Sequence, residues 1–124
     1  MGLLPTILKF GILHKELRIV GNQNTLRDFV YVKDIGSHIA NRIGEPSSLE
    51  ISIEFLVSGR PCSIYAIQHI TENLVRRKVY FVFAPQHTHS LDITYARDTM
   101  PEKWEPVDLE TGMRRLLSDI RTIN

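Results

Sequence analysis

Apolar residues recur at helical spacing in four stretches of the chain. Residues 3–13 place Leu3, Leu4, Ile7, Leu8 and Ile12 on one stripe, and Pro5 falls in the first turn, where a missing N–H is tolerated. Residues 33–43 carry Ile35, Ile39, Ala40 and Ile43, with Gly44 as a stop. Ser63 opens a third helix, because its hydroxyl can accept from free N–H groups of the first turn; Ile64, Ile67, Ile70 and Leu74 form its stripe. Asp108 caps a fourth, with Leu109, Met113, Leu116, Leu117 and Ile120 on one face.

Between these stretches the pattern changes. Leu17–Val20 reads as a short strand, residues 21–24 as a turn, and residues 29–32 as a second short extended piece. Residues 51–55 alternate apolar and polar and run into Leu56 and Val57, which predicts a partly buried strand. Residues 58–61 form a turn, and residues 78–83, dense in β-branched and aromatic side chains, predict another strand. Residues 84–107 are mostly irregular, with Pro101 and Pro106 near their end. The expected fold is mixed α/β, short strands with about four helices, in a single domain over residues 1–124. No repeat or linker divides it.

Composition narrows the function. With 124 residues, 43% hydrophobic and 23% charged, the chain can bury one modest core and is not expected to be disordered. Fifteen basic and fourteen acidic residues leave a formal charge of +1, too little to draw in nucleic acid or an anionic membrane. Cys62 is the sole cysteine, so neither an intrachain disulfide nor a thiolate zinc site is expected. His87 and His89 lie two apart in a loop-like stretch and read as exposed histidines rather than metal ligands. No apolar run approaches the roughly 20 residues of a membrane span. The opening residues lack a basic lead segment and a small-residue cleavage site, so no signal peptide is expected and the cytoplasm is the default compartment.

One ordered set of motifs goes further. Residues 21–35 read Gly-Asn-Gln-Asn-Thr-Leu-Arg-Asp-Phe-Val-Tyr-Val-Lys-Asp-Ile. Leu3-Leu4-Pro5 and the strand ending in Val20 precede them. Ser58-Gly59-Arg60-Pro61, Ala84-Pro85, Trp104-Glu105-Pro106 and Leu109-Glu110-Thr111-Gly112 follow in order. The set resembles the C-terminal, substrate-binding part of extended short-chain dehydrogenases, the NAD-dependent nucleotide-sugar epimerases and dehydratases. The resemblance covers nearly the whole chain and implies a nucleoside diphosphate sugar as ligand, NAD as cofactor of the complete enzyme, and a cofactor domain packed against this part.

Arg27 carries the chemistry. A guanidinium fork can bind diphosphate oxygens in a bidentate way. On the residues alone, a surface ion pair with a carboxylate is an equal reading; the resemblance implies the phosphate role. Asp28 cannot help hold a diphosphate and is expected to serve the turn. By the resemblance, Leu3, Leu4, Arg18 and Val20 line the nucleotide pocket. Core packing is the expectation for Ile19 and an even alternative for Val20. The family's substrate loop usually carries an arginine, a glycine and an aspartate; here residues 86–92 read Gln-His-Thr-His-Ser-Leu-Asp. His87 falls near the arginine position as a weaker donor, and Asp92 replaces the aspartate with a shift of register.

The catalytic parts of such an enzyme are missing from the sequence. Gly2, Gly11, Gly21, Gly36, Gly44, Gly59 and Gly112 are all isolated, so no glycine-rich turn exists to hold a pyrophosphate. None of Tyr31, Tyr65, Tyr80 and Tyr95 has a lysine four residues on, the pair that the resemblance would require as base. No cofactor is expected on this chain by itself. Two functions follow: the substrate-binding half of an epimerase or dehydratase, or a non-catalytic association module of the same descent. A part cut from its cofactor domain is expected to expose apolar area, from Leu3, Leu4, Ile7 and Leu8 and around Phe29 and Phe81, and to self-associate, most simply as a homodimer.

Overall fold

A computed structural model describes residues 2–46, 51–85 and 91–123. Four helices carry most of it: α1 (Leu3–Ile12), α2 (Val32–Ile43), α3 (Ile64–Val75) and α4 (Leu109–Ile123). Four short strands join them: β1 (Leu17–Val20), β2 (Leu26–Arg27), β3 (Cys62–Ser63) and β4 (Phe81–Ala84). A single 3₁₀ turn spans Arg97–Thr99. The fold is mixed α/β, as the periodicity predicts.

The strands form two separate pairs. β1 and β4 run parallel, with Leu17 opposite Phe81 and Val20 opposite Ala84. β2 and β3 run antiparallel, with Leu26 opposite Ser63 and Arg27 opposite Cys62. The core lies where α1, α3 and α4 pack together: Ile7, Leu8, Ile67 and Met113 are almost wholly buried, with Leu17, Ile64, Val75, Val79 and Leu117 around them. Helix α1 comes close to α3 because Gly11 has no side chain; a Cβ there would meet Thr71 Cγ2 and Val79 Cγ2 at 3.3 Å. Thr71 is fully buried at that contact, and its hydroxyl is satisfied by donating to the Ile67 carbonyl at 2.8 Å.

The caps follow the sequence. Ser63 Oγ accepts from Ala66 N at 3.1 Å, and Asp108 Oδ1 accepts from Thr111 N at 2.9 Å.

Three expectations fail. Residues 51–57 form no strand. Their backbone has no pairing strand among the described residues, and Ile51 and Ile53 are 97% and 83% exposed. The polar member of the alternation meets α2 instead: Glu54 accepts from His38 at 2.9 Å and lies 3.3 Å from Arg42, both on that helix. The strand expected over 78–83 is β4, shifted to Phe81–Ala84, because only those residues lie opposite β1. Val79 sits in the core ahead of it, outside any strand. Residues 29–31 are irregular, and the extended pairing falls earlier, on Leu26 and Arg27.

Burial also departs from expectation. Ile7 and Leu8 are fully buried, so they add nothing to an exposed apolar face. Helix α2 takes that role: none of its residues is buried, and Val32, Ile39 and Ile43 are largely exposed.

Candidate functional site

The site begins at the pinning of Arg27. β2 is held on one side by β3 and on the other by residues 91–93. There, Asp92 Oδ1 accepts from Leu26 N at 2.8 Å and Ile93 N donates to the Leu26 carbonyl at 3.1 Å. Arg27 Nη1 then donates to the carbonyls of Leu91 at 2.7 Å and Leu26 at 2.8 Å. Two carbonyls fix the half-buried guanidinium through one nitrogen. A guanidinium has five N–H groups, and among the described residues the others have no partner. Among the described residues no carboxylate stands within ion-pair distance of Arg27. The surface-pair alternative therefore has no partner there.

Arg27 borders a groove of about 430 Å³. Leu3 and Thr6 of α1, Leu17, Arg18, Ile19 and Val20 of β1, Ile64 of α3 and Asn22 of the turn after β1 line it. Among the described residues, two guanidiniums and no carboxylate line it. Val20 is 64% exposed, so core packing does not explain it, whereas Ile19 packs against the core and also borders the groove. The fold thus brings Leu3, Arg18, Val20 and Arg27 together.

Leu4 is placed elsewhere. It lines a second, apolar groove of about 380 Å³ with Pro5, Phe29, Tyr31 and Met113; Leu3, one residue earlier on the helix, borders both grooves. Asp92 reaches the site only through backbone, its carboxylate turned onto Leu26 N. His87 lies outside the described residues.

Asp28 holds a turn, though not the one it follows. Its two carboxylate oxygens accept from Ser58 N at 2.7 Å and Gly59 N at 2.9 Å, tying the end of β2 to the 58–61 turn. Gly59 has φ +64°, a left-handed conformation that favours glycine, and a Cβ would sit 3.0 Å from Met100 Sδ. Beside this turn, burial and then the Asp28 charge push the Cys62 thiol up to about 11, leaving it protonated and unreactive at neutral pH.

Sequence reasoning missed Thr6, Asn22 and Thr25 in the groove. Thr6 was reachable: it stands three residues after Leu3 and shares its helix face. Asn22 and Thr25 depend on how the turn folds back, which periodicity does not carry. β1 runs through Gly21 into the short β2 rather than into a helix. Among the described residues, no helix is long and apolar enough to cross a membrane.

No family model matches the chain. A curated relative, UDP-glucuronate 4-epimerase of Thermodesulfobacterium geofontis, is 28% identical over 116 residues, covering 90% of this chain and 35% of its own length. Solved structures share the fold. The UDP-glucuronic acid 4-epimerase of Bacillus cereus, in complex with UDP-glucuronic acid and NAD, superposes with a TM-score of 0.79 at 18% identity. It covers 95% of this chain and 39% of its own. The UDP-glucose 4-epimerase of Thermotoga maritima with UDP-glucose gives 0.75 at 20% identity, over 98% of this chain and 40% of its own. The chain thus spans little more than a third of these proteins, and it resembles the NAD-dependent epimerase/dehydratase family over almost all its own length.

Proposed function

We propose that the chain is the C-terminal, substrate-binding part of an NAD-dependent nucleotide-sugar epimerase or dehydratase, forming one domain over residues 1–124. It holds the nucleoside diphosphate end of the sugar in the groove between α1, β1 and β2. One observation carries the reading: a guanidinium pinned by two carbonyls, without a counter-ion among the described residues, in a groove lined by no carboxylate. Such a group is pre-organised for an oxyanion, because its carbonyl contacts fix the fork and leave donors free. Arg18 adds a second positive charge to the same groove, and Leu3 and Val20 offer apolar surface for a base.

The contribution is binding and orientation. NAD, where the complete enzyme binds it, supplies the hydride acceptor; this chain fixes the far end of the substrate and supplies no acid or base. His87 adds a donor to the phosphates, and Asp92 holds β2 in place to support Arg27. By itself the chain neither binds NAD nor turns over a nucleotide sugar. With one cysteine and no disulfide to protect, it is assigned to the cytoplasm.

The exposed apolar residues of α2 and of the strap at 51–55 support a second element of the reading. In a longer chain they are covered by the cofactor domain; alone, they drive formation of a homodimer. A calorimetric panel of nucleoside diphosphates, their sugars and NAD tests the function. Heat with one or more of the diphosphates and none with NAD is expected. Stoichiometric NAD binding, or silence across the whole panel, would contradict it.

A further inference from the structure

The end of α3 and the last turns of α4 face each other across a groove of about 640 Å³. The buried core residues Val75 and Leu117 form its floor. Its rim holds hydrogen-bond donors: Asn73 and Arg76 from the end of α3, Arg114, Ser118 and Arg121 from α4; the Thr122 hydroxyl, also on the rim, donates to the Ser118 carbonyl at 3.0 Å. Among the described residues no carboxylate lines it. Acids close in sequence are engaged elsewhere. Glu72 accepts from Val79 N and Lys78, and Asp119 meets Lys33. Glu110 pairs with Arg114 alone. Arg76 and Arg121 have no ion pair among the described residues.

The backbone at Arg76 adds an independent observation. Arg76 ends α3 at φ 57° and ψ 39°, the left-handed conformation in which helices favour glycine. A side chain there is tolerated against a steric cost that glycine avoids. Complementing the helix dipole does not account for it, because Arg77 and Lys78 follow directly and already place positive charge at that end; Arg77 also donates to the Ile12 carbonyl at 3.4 Å. Strain at one position meets, in one groove, two guanidiniums without an ion pair among the described residues, Arg76 and Arg121. A multivalent anion would engage both forks and the Ser118 hydroxyl beside them.

We propose that this groove binds a small molecule carrying more than one phosphate group. Its lining shares no residue with the Arg27 groove, so the inference does not depend on the nucleotide-sugar reading. Inorganic pyrophosphate is the probe, titrated into the full chain and followed by amide NMR, with sodium chloride at matched ionic strength as control. Saturable shifts at Arg76, Ser118, Arg121 and Thr122 are expected, stronger with pyrophosphate than with inorganic phosphate. Arg76→Gly and Arg121→Gln should each raise the dissociation constant read at these amides by about tenfold or more, the worth of a charge-assisted hydrogen bond. Arg76→Gly should also unfold at a higher temperature in anion-free buffer, which separates loss of the contact from loss of the fold. Shifts confined to residues 18–27, shifts that sodium chloride reproduces, or a dissociation constant unchanged in both variants would overturn the proposal.

Discussion

Arg27 and Asp28 are neighbours in sequence with opposite roles, and geometry separates them. Among the described residues Arg27 keeps donors free, whereas both oxygens of Asp28 are used on Ser58 N and Gly59 N. Asp28→Ala should therefore destabilise the chain by about 1.5–3 kcal/mol, the usual worth of hydrogen bonds to a charged group. Denaturant unfolding measures this; a loss below about 0.5 kcal/mol, the ordinary scale of surface substitutions, would mean that the turn holds without the carboxylate. The sequence made Asp28 legible as structural because an acid repels phosphate, but not its target, which lies thirty residues on. Leu3 and Leu4 show the same limit. Both are apolar first-turn residues, yet neighbouring helix positions diverge by about 100°, so only Leu3 reaches the Arg27 groove.

Among the elements, the helices were legible and one strand was not. Helices α1, α3 and α4 bury the stripes that define them, and Ser63 and Asp108 cap as their chemistry requires. The 51–57 stretch misled because alternation reports one-sided burial without saying what lies opposite. Here Glu54 faces α2, the isoleucines face outward, and Trp104 Nε1 donates to the Val57 carbonyl at 2.6 Å. Carboxylates thus hold several elements together. Glu72 is kept below its ordinary value by Val79 N and Lys78, Asp108 by the hydroxyl and N–H of Thr111, and Glu54 by His38. A carboxyl whose folded pKa is depressed adds stability that is complete above its unfolded value and is lost as pH falls through the folded one. The melting temperature should hold from neutrality to about pH 5 and decline below it. Glu72→Gln should lower it at pH 7 and make the decline shallower. An acid limb of unchanged slope in that variant would assign the loss to other groups.

At the scale of the whole molecule, the chain matches proteins that are more than twice its length. The core is closed by α1, α3 and α4, while α2 leaves Val32, Ile39 and Ile43 in solvent. Sequence periodicity found that stripe but not its exposure, because a pattern marks a face to be covered without naming the cover. Light scattering should detect a dimer that weakens when Ile39 and Ile43 are both changed to Ser; a monodisperse monomer with no hydrophobic-dye binding would contradict this. The central claim is that the groove bordered by Arg27 holds the diphosphate of a nucleotide sugar. Calorimetric titration of UDP and UDP-glucuronic acid into the wild-type, Arg27→Ala and Arg27→Lys chains tests it most directly. The account predicts binding by the wild type, a loss of about 1.5–3 kcal/mol in the alanine chain, roughly ten- to 150-fold in affinity, and partial recovery with lysine, whose point charge lacks the fork. Equal affinity in the wild-type and alanine chains would contradict it.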